Sequence, residues 1–285
     1  MLRSETFTIA HGEIAGLTVG DVRQSDYSVL FLHGWLDNAA SFIRVISFLQ
    51  QLAPEGHFCA IDLPGHGLSS HKPAANYYSF HDYIDDVYQV LHNLSPNRLV
   101  LVGHSLGALI ASCYSAAFPE QVAGLVQIEG FLPLTEDPVD SVQRLRQGVL
   151  SRQRVRRKPP RYYYSVEEAI EHRARVNQLP AELIEPVVRR GLHHVGTQWQ
   201  WRHDNKLLCD SLYRQTPQHA QAVMNNIICP HHVILGDQGF ASLQTDLTDY
   251  IGQPSQSSIV AGGHHCHLQQ PLLVAELILG LVNKI

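Results

Sequence analysis

The feature that most constrains the fold is a series of short apolar runs that alternate with longer stretches of helical pattern. VLFL, LVLV and GLVQI are apolar almost without interruption, which is typical of strands buried on both faces of a parallel sheet. Strands are predicted at residues 6–10, 13–19, 28–32, 57–61, 98–102, 123–128, 232–235 and 257–260, and helices at 39–51, 79–94, 105–117 and 272–282. The pattern predicts an α/β fold with a mostly parallel sheet, and its two polar-interrupted N-terminal runs predict an antiparallel edge hairpin.

One segment interrupts this alternation. Residues 131–226 contain helical stretches at 139–154, 166–178 and 181–190, with no convincing strand run except around 198–201. We interpret 131–226 as a helical insertion into a core formed by residues 1–130 and 227–285. Ligands of open α/β sheets bind at the carboxyl ends of the strands, so an insertion placed there would form a lid.

Composition excludes several classes of protein. A chain of 285 residues with 45% hydrophobic side chains can form a large core without disulfide bonds or a metal. The net charge of −5 argues against a nucleic-acid partner. Five cysteines without a CxxC pair are interpreted as reduced thiols, which favours the cytoplasm. The N-terminus lacks the apolar region of a signal peptide, and no apolar stretch is long enough to predict a membrane span.

The chemistry is concentrated at RLVLVGHSLGALIASCY, where Gly103-His104-Ser105-Leu106-Gly107 matches G-x-S-x-G between an apolar strand and an amphipathic helix. This context is the one in which the motif forms a nucleophile elbow, a sharp turn that exposes the serine hydroxyl. Small residues two before and two after the serine let the strand and the helix pass closely. Ser105 is therefore predicted to be a nucleophile.

A serine hydroxyl needs a base, and the base needs an orienting acid. The chain has 18 histidines, so a base must be identified by its setting. His264 follows the last predicted strand by a short glycine loop, which would place it at the carboxyl edge of the sheet. His265 and His267 are close alternatives, whereas His104 is expected to pack against the elbow.

Four segments in this order make the sequence resemble the α/β-hydrolase superfamily, with bacterial serine hydrolase-like proteins as the most similar group. They are LFLHGWLDNAASF, AIDLPGHGLSS, VGHSLGALIA and GGHHCHLQQP. The resemblance implies an eight-stranded sheet flanked by helices, with the lid inserted after strand 6. It also implies His264 as the base, because it lies seven residues before Pro271, and an oxyanion hole formed by the backbone amides of Trp35 and Leu106.

The acid departs from the usual pattern of that superfamily. Gly239 stands where relatives commonly carry an aspartate after the strand that follows the insertion. Asp237 is nearby, while Glu129 ends the preceding strand, the other location of the acid known in the superfamily. We favour Glu129, with Asp237 as the main alternative and Asp246 or Asp249 as further candidates.

A serine nucleophile predicts acyl transfer through an ester intermediate. The expected reaction is hydrolysis of a carboxylic ester or a related acyl compound of small size, without a cofactor. A thioesterase, carbon–carbon bond hydrolase, acyltransferase or cofactor-free haloperoxidase would use a similar triad. The alternative outside enzymology is a ligand-binding protein that keeps the fold.

Two further patterns allow a functional interpretation. The insertion carries a basic run followed by three tyrosines; its cations are Arg144, Arg146, Arg152, Arg154, Arg156, Arg157, Lys158 and Arg161. This run has two interpretations. It forms a solvated helix face, or it attracts a negatively charged partner, either an acidic substrate or an anionic surface. Paired histidines at 193–194 and 231–232 lack a carboxylate or cysteine at ligand spacing, so no metal is expected.

Overall fold

The computed structural model describes residues 2–250 and 255–285, together with the side chains of all these residues except 246, 248–250 and 255. Eight strands form the main sheet: β1 (Arg3–Ile9), β2 (Gly12–Val19), β3 (Ser28–Leu32), β4 (His57–Ile61), β5 (Leu99–His104), β6 (Val122–Ile128), β10 (His231–Gly236) and β11 (Ser255–Val260). Their spatial order is β1-β2-β4-β3-β5-β6-β10-β11. Strand β2 pairs antiparallel with β1 and β4, and the other pairs are parallel. The mostly parallel eight-stranded sheet and its antiparallel edge hairpin are both confirmed.

Helices cover both faces of this sheet. They are α1 (Ile43–Leu52), α2 (Asp82–Leu94), α3 (Leu106–Ala117), α8 (Ala241–Tyr250), α9 (Cys266–Gln269) and α10 (Pro271–Val282). The stretch predicted as one helix from residue 39 begins with a 3₁₀ turn, Ala39–Phe42, and the helix predicted from residue 79 begins at Asp82. Helix α8 lies in a region for which the sequence predicted no element.

The core is divided between the two faces of the sheet. Leu30 and Leu32 pack into one apolar cluster with α2 and α3, while Phe31 packs into a second cluster with α1 and α10. Successive strand side chains point to opposite faces, so a continuous apolar run such as SVLFL is buried throughout. Because neighbouring strands here are parallel, the carboxyl ends of β3, β5, β6 and β10 lie side by side at one edge of the sheet.

Residues 131–226 separate β6 from β10 along the chain, although these two strands are neighbours in the sheet. The segment contains α4 (Ser141–Arg157), β7 (Tyr162–Tyr163), α5 (Val166–Asn177), α6 (Ala181–Gly191), β8 (Leu192–Val195), β9 (Gln198–Trp201) and α7 (Pro217–Asn225). Strands β7, β9 and β8 form a small antiparallel sheet. Of these strands the sequence indicated only β9, because runs of two to four residues are too short for a clear alternation. The interpretation of this segment as a lid stays a prediction.

Candidate active site

Ser105 occupies the sharp turn between β5 and α3. Its backbone has φ +49° and ψ −118°, a conformation that L residues rarely adopt and that persists only where the surroundings impose it. A Cβ added at Gly103 would overlap the backbone of Gly107, and one added at Gly107 would overlap that of Leu32. The two glycines therefore allow the strand and the helix to approach each other closely, as the G-x-S-x-G spacing predicted.

Glu129 lies directly after β6 and is 2% exposed. Its backbone also has a positive φ, +52°, which turns the chain sharply at the end of the strand. One carboxylate oxygen, Oε1, accepts a hydrogen bond of 2.6 Å from the amide of Gly236, and the other, Oε2, lies 3.1 Å from Nδ1 of His264. The structure thus brings Glu129 and His264 together, and it places His264 in the wall of a cavity that Ser105 also borders.

The competing acids have other positions. Asp237 is exposed and accepts a hydrogen bond of 2.8 Å from the amide of Gly262, so it stabilises the loop that leads to His264. Asp246 and Asp249 belong to α8, and their side chains lie outside the described residues. A Cβ at Gly239 would overlap the carboxylate of Glu129. The space that an acid at position 239 would need is therefore already filled by Glu129.

Trp35 and Leu106 flank Ser105 in the wall of a second cavity. Leu106 is the first residue of α3, so its amide has no acceptor within the helix and lies at the positive end of the helix dipole. Trp35 follows β3, and its indole nitrogen donates a hydrogen bond of 3.0 Å to the carbonyl of Leu207. This contact connects the predicted oxyanion side of the site to the segment 131–226.

A group of histidines packs behind His264. The ring of His104 lies 4.2 Å from that of His267 and 4.9 Å from that of His264, measured between centroids. Burial lowers the pKa of His104 and lowers that of His267 to about 3, so both rings are neutral near pH 7. Nε2 of His104 donates a hydrogen bond of 2.8 Å to the carbonyl of His264. His104 thereby holds the loop that carries His264, a role consistent with its expected packing against the elbow.

Asp37 is the acid of this histidine group, and no pattern in the sequence predicted its role. Burial by itself would raise its pKa, but His265 and Arg173 hold that pKa well below the ordinary value. Nε2 of His265 lies 3.4 Å and Nη2 of Arg173 lies 2.9 Å from the carboxylate. Because α5 of the segment 131–226 supplies Arg173, only the folded chain brings the three side chains together.

Two cavities meet at Ser105, Trp35 and Phe240. The polar cavity, about 570 Å³, is lined by His264, His265, Asp37, Asn177 and Gln238 among others. The apolar cavity, about 560 Å³, is lined mainly by hydrophobic side chains. They include Leu106 and Leu109 of α3 and Leu132, Leu134 and Leu207 of the segment 131–226. Ser105 therefore stands between two spaces of similar size, of which the first has the larger share of polar side chains in its lining.

The remaining sequence features lie mostly away from Ser105. Of the basic run, only Arg144 borders a cavity that Ser105 shares, and it pairs with Glu136. His232 contacts Ser258 through Nε2 at 2.9 Å. Over residues 2–250 and 255–285, no three His, Cys, Asp or Glu side chains are grouped so that they could hold a metal ion. None of the helices in that part of the chain is both long and apolar enough to cross a membrane.

Comparison with known proteins agrees with this architecture. The family model of the alpha/beta hydrolase fold matches residues 27–161. A serine hydrolase-like protein of Danio rerio is 28% identical over 264 residues, which are 88% of this chain and 79% of that protein. The human serine hydrolase-like protein 2 is 28% identical, and the match covers 88% of this chain and 85% of the human protein.

A solved structure extends this similarity over the whole chain. A hypothetical protein of Pseudomonas aeruginosa PAO1 is 30% identical and has a TM-score of 0.85, and the match covers 96% of this chain and 99% of that one. The chain belongs to the α/β-hydrolase superfamily. This membership supports a hydrolase function.

Proposed function

We propose that the protein is a serine hydrolase that cleaves a carboxylic ester through an acyl-enzyme intermediate. The observation that carries this proposal is the 3.1 Å contact between Glu129 and His264 in the wall of a cavity bordered by Ser105. Since Nδ1 of His264 donates its proton to Glu129, the other ring nitrogen, Nε2, is free to accept a proton. The arrangement supports His264 as the base that activates the hydroxyl of Ser105.

The reaction follows from these roles. Ser105 Oγ attacks the ester carbonyl while Nε2 of His264 takes its proton. The negative charge that develops on the carbonyl oxygen is stabilised by the amides of Trp35 and Leu106. His264 then returns the proton to the alcohol oxygen, which leaves. A water molecule, deprotonated by the same ring, attacks the acyl carbon. The bond to Oγ of Ser105 breaks, and His264 returns the proton to this oxygen as the acid leaves.

The two cavities fit the two halves of an ester. Both cavities border Trp35, but only the apolar cavity borders Leu106, whose amide would hold the carbonyl oxygen, so it suits the acyl chain. The polar cavity borders His264, which must protonate the departing alcohol. We therefore assign an apolar acyl group to the apolar cavity and a polar leaving group to the polar cavity, and we propose the segment 131–226 as the lid over both.

The proposal includes a compartment. All five cysteines are free thiols and four are buried, which favours a reducing environment such as the cytoplasm. The chemistry needs no cofactor, because Ser105, His264 and Glu129 supply the nucleophile, the base and the orienting charge.

The decisive experiment combines labelling with kinetics. A fluorophosphonate probe is expected to label the wild-type protein and Ser141→Ala, whose serine is exposed on α4, but not Ser105→Ala. With p-nitrophenyl esters, Ser105→Ala should lower kcat by roughly six orders of magnitude. A wild-type protein that neither reacts with the probe nor cleaves any ester would refute the enzyme and favour a ligand-binding protein with the same fold.

A further inference from the structure

A third cavity adjoins the polar cavity and has a different electrostatic character. This basic cavity, about 210 Å³, is lined by Lys158, Arg161 and Arg173 and by the rings of His172 and His203. Its lining contains no aspartate or glutamate. Arg173, with Leu36 and Val176, also lines the polar cavity, so a cationic side chain stands where the two spaces meet.

Two of the three cations of this cavity are not neutralised by a carboxylate. Arg161 contacts two uncharged groups, Nε2 of His172 at 2.9 Å and the ring face of Tyr163. Within residues 2–250 and 255–285, neither Lys158 nor Arg161 forms an ion pair with a carboxylate. Arg173 is paired with Asp37 through Nη2, but its Nε is buried and has no hydrogen-bond acceptor.

The neighbouring histidines do not offset this excess of positive charge, nor do they add to it. Burial lowers the pKa of His172, and three nearby arginines, Arg161, Arg175 and Arg173, lower it further. Burial, followed by Arg173 and His71, lowers the pKa of His203 to about 4. Both rings are therefore neutral at pH 7. The excess positive charge of the cavity comes from Lys158 and Arg161, and Arg173 adds a buried N–H donor without an acceptor.

A small concave site with guanidinium groups and no carboxylate is suited to an oxyanion, because the planar guanidinium donates paired hydrogen bonds to phosphate or carboxylate oxygens. We propose that the basic cavity binds an anionic group, phosphate or carboxylate, on the leaving group of the ester. This inference rests on the proposed function, since it extends the leaving-group side of Ser105 from the polar cavity past Arg173.

The first test measures binding without turnover. Inorganic phosphate and acetate are titrated separately into the wild-type protein, Lys158→Gln, Arg161→Gln and Arg157→Gln, with binding followed by calorimetry. The last variant is a matched control, because Arg157 is exposed and lines none of the three cavities. We expect saturable binding of the better-matched anion that weakens about tenfold in Arg161→Gln, weakens less in Lys158→Gln and is unchanged in Arg157→Gln.

The two anions separate phosphate recognition from carboxylate recognition. Absence of saturable binding of either anion, or equal weakening in all three variants, would overturn the anion site. Lys158 is exposed, so Lys158→Gln keeps the test valid even if Arg161→Gln disturbs the packing against Tyr163. Because no turnover is involved, this result does not depend on whether Ser105 is catalytic.

The second test assigns the site to the leaving group. Hexanoate esters of 4-hydroxybenzoate, of its uncharged methyl ester and of 4-hydroxyphenylphosphonate share one acyl chain and differ in charge. We expect kcat/KM to be about tenfold higher for an anionic ester at low salt, and this preference to be lost in Arg161→Gln but kept in Arg157→Gln. Equal rates for the three esters would overturn the leaving-group assignment, whereas no cleavage of any of them would instead count against the proposed function.

Discussion

The carboxyl edge of the sheet and the segment 131–226 both line the two cavities that meet at Ser105, and they are built differently. At the sheet edge, Ser105 and Glu129 lie in strained backbone conformations at the ends of strands that are buried almost throughout. In the segment, α4 exposes Val142 and Val149 while turning Gly148 and Ser151 inward. The contrast is between a sheet edge where buried strands hold the proposed reacting groups and a helix, α4, that is packed less tightly beside the cavities.

Helix α4 illustrates the second half of this contrast. Val142 is 76% exposed and Val149 is 56% exposed, although apolar residues on a surface helix usually face the core. The helix is instead linked to its surroundings by polar contacts, such as Arg144 with Glu136 and Arg152 over the ring of Tyr77. A helix held in this way can be displaced at a lower cost than one whose apolar face is buried.

The largest expected effect tests the sheet edge. Glu129→Ala should lower kcat by about 10⁴, because His264 would lose the charge that orients it and stabilises its protonated form. Asp237→Ala is the control, since its carboxylate accepts a hydrogen bond from the loop amide of Gly262 and is exposed, and it should stay within about tenfold of the wild type. Steady-state kinetics with one ester suffices, and near-normal activity in Glu129→Ala would reject this residue as the acid.

A second pair of variants tests whether an acid at position 239 can replace Glu129. Gly239→Asp alone should lose activity, because the new side chain would overlap the carboxylate of Glu129. Combining it with Glu129→Gly removes the overlap and leaves one acid near His264, so the double variant should recover part of the activity. If the double variant is no more active than Glu129→Gly, the two positions are not equivalent.

An intermediate effect is expected from the two cavities that meet at Ser105. Methyl nonanoate and octyl acetate are isomers that carry the same apolar chain on opposite sides of the ester bond. We expect kcat/KM to be about 10- to 100-fold higher for methyl nonanoate, since its chain enters the apolar cavity and each methylene bound there adds to discrimination. Leu132→Trp should narrow that cavity and reduce the difference. A preference for octyl acetate would reverse the assignment of the cavities.

The smallest effect is on the pH dependence of stability. It compares a histidine buried in the main sheet with an exposed histidine on β8 of the segment. Burial, followed by the charge of Arg3, lowers the pKa of His57 to about 4, below its unfolded value of about 6.5. The neutral ring therefore stabilises the fold fully above about pH 6.5, and this contribution falls as the pH drops towards 4. Between pH 7 and pH 5 the loss for this residue is about 1–2 kcal/mol.

Denaturant unfolding at a series of pH values measures this loss. His57 contacts Thr18 at 2.9 Å and Ser28 at 3.0 Å, so His57→Gln should lower stability at pH 7 but flatten its decline towards pH 5. His194→Gln is the control, because His194 is exposed on β8, and it should leave the slope unchanged. An unaltered slope in His57→Gln would show that other groups cause the acid sensitivity.

Much of the core and part of the site could be predicted from the sequence because they depend on local patterns. Strands β3 and β4 have the predicted bounds, since a continuous apolar run is buried wherever it lies in a parallel sheet. The turn at Ser105 is also local, because Gly103 and Gly107 alone determine whether strand and helix can pass so closely. The small β7-β9-β8 sheet was largely missed, since its strands are defined by pairing rather than by their own sequence.

The partnership of Glu129 with His264 was favoured by the sequence but depends on the fold. Both Glu129 and Asp237 follow sheet strands, and the sequence alone could not determine where each carboxylate points. The positive φ of Glu129 and its bond to the amide of Gly236 direct it to His264, while Asp237 turns to Gly262. These contacts join residues distant in sequence, so they exist only once the strands have assembled.

The sequence by itself therefore determined the sheet, the elbow and the supply of histidines, because each of these is encoded within a few consecutive residues. Only the tertiary structure decided which histidines surround His264, which acid meets it and which cations line the basic cavity. Arg173 and Asp37 show the physical reason. Their ion pair joins α5 of the segment to the loop after β3, and a contact between groups so far apart along the chain leaves no local pattern in the sequence.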